Sequence, residues 1–333
     1  MKNKINWGVL SVAKIAVNKV IPAMQQCKHA NILGIASRDA AKANEAAAKL
    51  NIEKSYDSYE AMLADPDIDA IYIPLPNHLH FEWSMKCLDA GKHVLCEKPF
   101  VLSVEQLEQL RKKRDETGLK VAEAFMVRCH PRWHQVKKLI DEGKIGDLRA
   151  IQGSFTYYNM DPNNVRNAYT EGGGGIWDIG CYPVQVSRFI FGEDPVSVSG
   201  LVDNDPDFGV DRLATAWMKF PGGQSSFTVG TQTFRAQSMR FFGTEAWMEV
   251  DMPFNPPTDR PAKIIIHHEE DPEKKVEVIE CEQVNQFTLQ GDAFSRAILD
   301  DTEVPTPLED TLGNTKTLLA LFESAEKEKV VHV

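Results

Sequence analysis

Up to Lys120 the chain alternates short apolar runs with longer amphipathic stretches. Residues 5–10, 31–37, 70–75 and 93–96 have the length and apolarity of buried strands. Between and after them, 15–26, 40–50, 59–64, 78–90 and 103–117 carry helical patterns, with Pro22 a candidate break in the first. The 40–50 stretch is rich in Ala, Lys and Glu, which all favour helix. Gly91 stops one helix at a C′ position, and Ser103 opens another as an N-cap with Gln106 three residues on. This βαβα rhythm with short connections predicts a doubly wound parallel sheet.

Beyond Lys120 the period changes. Residues 125–142 look helical, interrupted by Pro131. Alternating, strand-like segments follow at 148–158, 196–202, 213–220, 224–233, 238–243, 247–250, 263–267 and 275–280. Pro221-Gly222-Gly223 reads as a hairpin turn between two of them. Helical patterns at 287–299 and 308–329 close the chain. The expected fold class is α/β: an N-terminal doubly wound domain over 1–122, then an α+β domain over 123–333 with a large, mostly antiparallel open sheet. The last helix could return to the first domain, and the two domains are expected to share a cleft. The open sheet face calls for a cover, so a homodimer or dimer of dimers is expected.

Charge and composition narrow the partners. A formal net charge of −11 argues against nucleic acid. No apolar run approaches the roughly 20 residues of a membrane span. The segment from Met1 to Trp7 passes straight into a strand-like run without a signal-peptide core, so a cytoplasmic location is expected. The six cysteines are scattered with no CxxC pairing and are expected as reduced, mostly buried thiols. His78 and His80 lack partners at metal spacing, so no metal is expected.

The first strand-to-helix turn sits where a dinucleotide fold presents its pyrophosphate cradle. Gly8 stands first, Ser11 takes a position where glycine is common, and Ala13 supplies a small packing residue; Lys14 and Ile15 begin the helix. The second strand ends in Ser37-Arg38 rather than the acidic residue that binds a ribose 2′-hydroxyl. A hydroxyl and a guanidinium suit a 2′-phosphate, and Lys42 adds charge one turn on, so NADP is expected over NAD. The loop Pro74-Leu75-Pro76-Asn77 forms a stiff wall for the nicotinamide, and His80 is counted with Pro74, Leu75 and Asn77 among the cofactor contacts.

Two further stretches carry chemistry: Cys96-Glu97-Lys98-Pro99, and Gly172 to Gly175 followed by Ile176-Trp177-Asp178-Ile179-Gly180-Cys181-Tyr182-Pro183. Oxidising an alcohol delivers a hydride to an acceptor and a proton to a base. A lysine ammonium near a phenol favours the phenolate and brings a tyrosine, pKa about 10 when free, toward working pH. Asp178 and Tyr182, four apart, share one face if this segment is helical. On the residues alone, Lys98-Pro99 reads equally as a structural loop and Asp178 as a helix N-cap.

Together these stretches resemble the Gfo/Idh/MocA oxidoreductase family over essentially the whole chain. The E-K-P after a strand and the G-G-G-x-x-x-D-x-G-x-[HY] stretch are specific in combination, and Ser11 departs from the family's usual glycine. Tyrosine at 182, where many members carry histidine, is similar to the branch containing glucose–fructose oxidoreductase, NADP-dependent D-xylose dehydrogenase and dimeric dihydrodiol dehydrogenase. The resemblance implies a Rossmann domain and hydride exchange between nicotinamide C4 and a hydroxyl-bearing carbon of a sugar or related cyclic polyol. It makes Lys98 the catalytic-site lysine touching nicotinamide ribose and substrate, Tyr182 the general acid/base and Asp178 a substrate-binding carboxylate. Glu97 and Pro99 shape the cofactor loop. Arg128 is a further cofactor contact, and Trp177, Tyr158 and Arg166 are further substrate contacts. Two alternatives stay open: a dehydrogenase of trans-dihydrodiols, and a non-catalytic NADP-binding regulator.

Overall fold

The computed structural model describes residues 3–269 and 275–333. Met1 and Lys2, with which the N-terminal run begins, lie outside the described residues. The chain divides into two units: residues 1–130 with 284–312, and residues 131–283 with 313–333. The break falls at Pro131, which starts a helix, rather than at the predicted 122/123. Each unit also takes a piece of the C-terminal region, because α8 (Gln286–Leu299) buries its apolar stripe in the first unit's core.

The first unit is a parallel sheet in the order β3 (Lys54–Tyr56), β2 (Ala30–Ala36), β1 (Ile5–Leu10), β4 (Ala70–Ile73), β5 (His93–Cys96), β6 (Val121–Glu123). The order reverses between β1 and β4. In an open α/β sheet, ligands bind outside the strand ends at this switch point. β1 and β4 are almost wholly apolar, as strands covered on both faces must be. The crossings run through α1 (Ile21–Met24), α2 (Ala40–Leu50), α3 (Tyr59–Leu63), α4 (Asn77–Asp89) and α5 (Val104–Thr117). Ser103 caps α5 as expected: its hydroxyl accepts from Gln106 N, and Gln106 Oε1 accepts from Leu102 N. β3 and β6 are too short to stand out as apolar runs.

Pro22 does not break the first helix. The turn before it, 16–20, is a wide π-turn in which Ile21 N–H bonds to the carbonyl of Ala16, and the proline enters just after it. The wider turn relieves the clash between a proline ring and the carbonyl four residues back.

α8 joins the first unit through specific contacts. Trp7 is fully buried in β1; its indole N–H donates to Ser295 Oγ at 3.0 Å, and its ring lies 5.4 Å from Phe294. The Thr288 hydroxyl donates to the Ala23 carbonyl at 2.8 Å.

The second unit is a nine-stranded sheet. Its order is β14 (Val276–Glu280), β13 (Lys263–His267), β12 (Trp247–Val250), β11 (Gln232–Gly243), β7 (Leu148–Tyr158), β10 (Gly223–Gly230), β9 (Asp211–Phe220), β8 (Ser197–Asn204), β15 (Val331–His332). Among the described residues all its pairings are antiparallel except β7 with β10. The predicted 224–233 strand is cut after Gly230, where the chain turns into β11. Alternation sets the faces: Ala214, Ala216, Met218 and Phe220 are buried, while Leu213, Thr215 and Lys219 between them are exposed. α6 (Pro131–Asp141) precedes the sheet, α7 (Cys181–Phe191) packs on β7, and Ser324 of α9 (Leu308–Lys327) accepts from Gly200 N on β8 at 3.1 Å.

Removing the Ser295 hydroxyl leaves the Trp7 indole N–H without its partner in a dry interior. Ser295→Ala is expected to lose about 1–3 kcal/mol, read as a shift of the denaturant midpoint without a change of slope.

Candidate active site

The predicted residues divide between the two units. In the first, Gly8 lies within β1, not in the turn; a Cβ there would meet Met62 Sδ at 2.5 Å and Ile71 Cδ1 at 2.9 Å, so its task is packing. Ser11 takes a φ of 90°, a conformation that favours glycine, and so fills the place of the missing glycine. Its amide bonds to the Ala36 carbonyl, its Oγ accepts from Ala13 N and donates to the Pro74 carbonyl. The turn thereby ties the ends of β1, β2 and β4 together at the switch point. Ala13 is half-buried, while Lys14 and Ile15 are exposed there.

At the end of β2, Ser37 is buried and its Oγ accepts from Asp39 N at 3.2 Å. Arg38 is exposed beside Tyr59. Asp39 places an acid one residue further on, yet its carboxylate caps α2 through Ala41 N and Lys42 N and pairs with Lys42 Nζ at 3.6 Å. Lys42 therefore points toward its own N-cap.

The Lys98 loop is pinned at each flanking residue. Tyr72, on β4, donates its hydroxyl to Glu97 Oε1 at 2.5 Å. His80 is fully buried, with Nδ1 2.8 Å from the Pro99 carbonyl and Nε2 2.7 Å from the Leu75 carbonyl. Burial lowers its pKa to about 4, against the opposing pull of the two carbonyls. Expected at the cofactor, His80 sits instead between the Leu75 and Pro99 carbonyls, to one of which the single N–H of the neutral ring donates. Glu123, 2% exposed at the end of β6, accepts from Phe100 N at 2.9 Å and from the Thr311 hydroxyl at 3.1 Å. Lys98 itself is half-buried. Pro74 and Leu75 are buried, and Asn77 begins α4. Arg128, in the single turn 126–129, pairs with Asp310 at 3.3 Å.

In the second unit the helix carrying Asp178 and Tyr182 again opens with a π-turn, 176–180, before α7. Cys181 N–H reaches back to the Ile176 carbonyl. Pro183 follows and offers no N–H, and the Asp178 carbonyl instead receives the Cys181 thiol at 3.5 Å.

Asp178 is 8% exposed. One oxygen, Oδ2, accepts from the Tyr157 hydroxyl at 2.7 Å and pairs with Arg166 Nε at 2.8 Å. Burial and the neighbouring carboxylate push the Tyr157 phenol well above its ordinary pKa, and Asp178 raises that of Arg166. Both therefore stay protonated and hold Asp178 as a carboxylate. The Arg166 loop is brought in by backbone bonds, with Gly174 N–H donating to the Arg166 carbonyl at 2.9 Å. A Cβ on Gly173 would come within 2.5 Å of that carbonyl oxygen, so glycine is required.

Tyr182 is 6% exposed, its ring 5.5 Å from Phe155 and 5.3 Å from Phe254. Arg132, fully buried, holds the loop before Phe254 by donating to the carbonyls of Asp251, Met252 and Pro253. Trp177 packs on Phe322 with ring centroids 5.3 Å apart, a core contact. Tyr158, predicted to face substrate, is 71% exposed and points away from Asp178. Tyr157 is the one that reaches Asp178, on the same side of β7 as buried Ile151 and Phe155. Period-two counting from those apolar residues distinguishes the two tyrosines.

Among the described residues no cluster of His, Cys, Asp or Glu could hold a metal, and no helix is long and apolar enough to cross a membrane.

Two family models match the chain: "Oxidoreductase family, NAD-binding Rossmann fold" over residues 5–125, and "GFO/IDH/MocA C-terminal domain" over residues 133–249. An uncharacterized oxidoreductase of Rhizobium meliloti is 42% identical, with 97% of this chain and 97% of the relative covered. A D-xylose 1-dehydrogenase (NADP(+)) of Haloferax volcanii is 32% identical, with 98% of this chain and 99% of the relative covered. A solved 3-ketoreductase from Actinomadura kijaniata, in complex with NADP and TDP-benzene, superposes with a TM-score of 0.91 at 29% identity, covering 97% of this chain and 98% of that one. The sheet orders, the pinned Glu97-Lys98-Pro99 loop and the Asp178–Tyr182 helix thus stand in matched domains, and the chain belongs to the GFO/IDH/MocA family of NAD(P)-binding oxidoreductases.

Proposed function

We propose that this protein is an NADP-dependent oxidoreductase of a sugar or related cyclic polyol, in which Tyr182 is the general acid/base, Lys98 assists it and Asp178 orients the substrate. The observation that carries the reading is the Asp178 carboxylate, fixed by Tyr157 and Arg166 one helical turn before a tyrosine packed against the stacked pair Phe155 and Phe254. A structural N-cap needs no arginine and phenol on one oxygen, whereas a carboxylate that must meet a hydroxyl in one orientation does.

The cofactor's place is supported by the switch point, the Ser11 turn and the Ser37-Arg38 strand end. Ser37 Oγ accepts from Asp39 N, which leaves its proton free to donate; Asp39 spends its carboxylate on the α2 N-terminus. Neither residue opposes a 2′-phosphate, and Arg38 is exposed to meet one. A bound nicotinamide supplies the hydride acceptor or donor at C4. The chain's own part is to place the substrate hydroxyl, hold its proton path and exclude water. In oxidation Tyr182 takes the hydroxyl proton while the Lys98 ammonium stabilises the phenolate; in reduction Tyr182 returns a proton to the developing alkoxide. The relatives include a xylose dehydrogenase and a dTDP-sugar 3-reductase, and a mouse relative 30% identical is a dihydrobenzene diol dehydrogenase. The molecules in these names are rings or ring-forming molecules with vicinal oxygens, the class proposed here.

A second copy of the chain is proposed to cover the open sheet face, where Leu201 and Leu213 are exposed beside paired Thr215 and Thr228. Light scattering is expected to give twice the 37.4 kDa chain mass, and a monomer at micromolar concentration sinks this part.

Tyr182→Phe is expected to lower kcat about 10²–10⁴-fold with cofactor affinity unchanged; an intact rate with sugars and polyols that the wild type turns over removes the acid/base assignment. Arg38→Ala is expected to weaken NADP binding about 10–100-fold and leave NAD binding alone, measured by titration calorimetry; equal losses for both cofactors refute the NADP preference.

A further inference from the structure

A second buried carboxylate stands beside the first. Asp211, the first residue of β9, is 4% exposed. Its Oδ2 accepts from Ile176 N at 2.6 Å, and it also receives the N–H groups of Gly175 and of its own backbone. The chain is built around it. Gly174 has a φ of 109°, and a Cβ there would collide with Asp211 Oδ1; a Cβ on Gly175 would lie 3.2 Å from Oδ2. Gly174 in turn passes its carbonyl to Asp178 N at 3.0 Å. The second half of the glycine run is therefore shaped to let one carboxylate reach the first turn of the Asp178–Tyr182 helix.

We propose that Asp211 is a positioning residue for the substrate side: its carboxylate holds the turn Gly174-Gly175-Ile176, sets the direction in which Asp178 and Tyr182 leave the backbone, and makes that hold dependent on pH. The proposal rests on the reading of Asp178 and Tyr182 given above.

The groups that face Asp211 explain why it titrates in a useful range. Burial pushes its carboxyl up to about 7, the three backbone N–H groups pull it back, and the Asp178 carboxylate raises it further. From β7 the Tyr157 phenol feels the same charge. Arg166 is spent on Asp178, and Arg212, the neighbour along β9, turns to Asp203 at 2.9 Å. Asp211 thus has hydrogen-bond donors without a cation. Its donor-only surroundings suit the ionised form, which grips the backbone N–H groups; protonation below neutrality weakens the grip. For stability the sign is opposite. A carboxyl raised from about 3.9 in the unfolded chain costs stability progressively as pH climbs from that value to its folded pKa, and the cost is constant above it.

The test uses the full chain labelled with 5-fluorotryptophan. Six tryptophans give six fluorine resonances, and Trp177, inside the turn, is assigned by its loss in Trp177→Phe. The Trp177 resonance is expected to titrate near pH 7 in the wild type and in Tyr182→Phe, and to be flat in Asp211→Asn. The melting temperature of Asp211→Asn relative to wild type is expected to rise between pH 4 and 7 and then to level. In turnover, Asp211→Asn is expected to lose about tenfold in kcat with the cofactor KM unchanged. A flat wild-type resonance, which needs no Asp211 variant to fold, overturns the proposal; so does an Asn variant that still titrates or keeps full kcat. A Tyr182→Phe enzyme with an intact rate removes the functional reading while leaving the fluorine titration standing, so the two failures are distinguishable.

Discussion

A carboxylate taken out of water must be compensated, and much of the second unit is arranged around doing this for Asp178. Isolated burial of that charge would cost several kcal/mol. The compensation comes from Arg166 and from the Tyr157 hydroxyl, both on the same oxygen. Arg166 belongs to an irregular loop that no strand or long helix holds in place. Its own carbonyl is therefore tied to Gly174 N–H, which demands close approach at Gly173. The glycine run thus serves to bring a guanidinium to a carboxylate. Asp211, a second carboxylate nearby, has hydrogen bonds only, and the difference between the two is the difference between an ion pair and a set of amide donors.

The same economy of shape recurs at both helices that open on wide turns. Pro22 and Pro183 follow π-turns at 16–20 and 176–180. A proline inside a regular α-helix removes one hydrogen bond and collides with the carbonyl four residues back. Widening the preceding turn moves that carbonyl aside, and the Asp178 carbonyl receives the Cys181 thiol. The wide turn also changes the angular step between Asp178 and Tyr182, so their common face is set by local backbone geometry as well as by the spacing of four.

Around Lys98 the constraint is different. Three side chains from three elements, Tyr72, His80 and Glu123, fix the residues on either side of it. All three are titratable groups with almost no exposure. A lysine carries a long flexible stem, so fixing its backbone is the only means of limiting where the ammonium can go.

The sequence by itself determined what is local or periodic. Apolar runs and caps located most strands and helices, and the E-K-P and glycine-rich stretches marked Lys98, Asp178 and Tyr182. Alternation along β7 already contained the choice of Tyr157 over Tyr158, since the side of the sheet follows from counting by two. Tertiary structure decided what depends on residues far apart in the chain. Asp211 stands 33 positions after Asp178 with nothing in its neighbourhood to mark it, yet the register of β9 brings it to the glycine run. His80 had the look of a ligand-binding residue until the fold set its ring between two carbonyls, from loops after different strands. The return of α8 to the first unit was hidden for the same reason: an apolar stripe states that a helix must be buried, and only packing says against what.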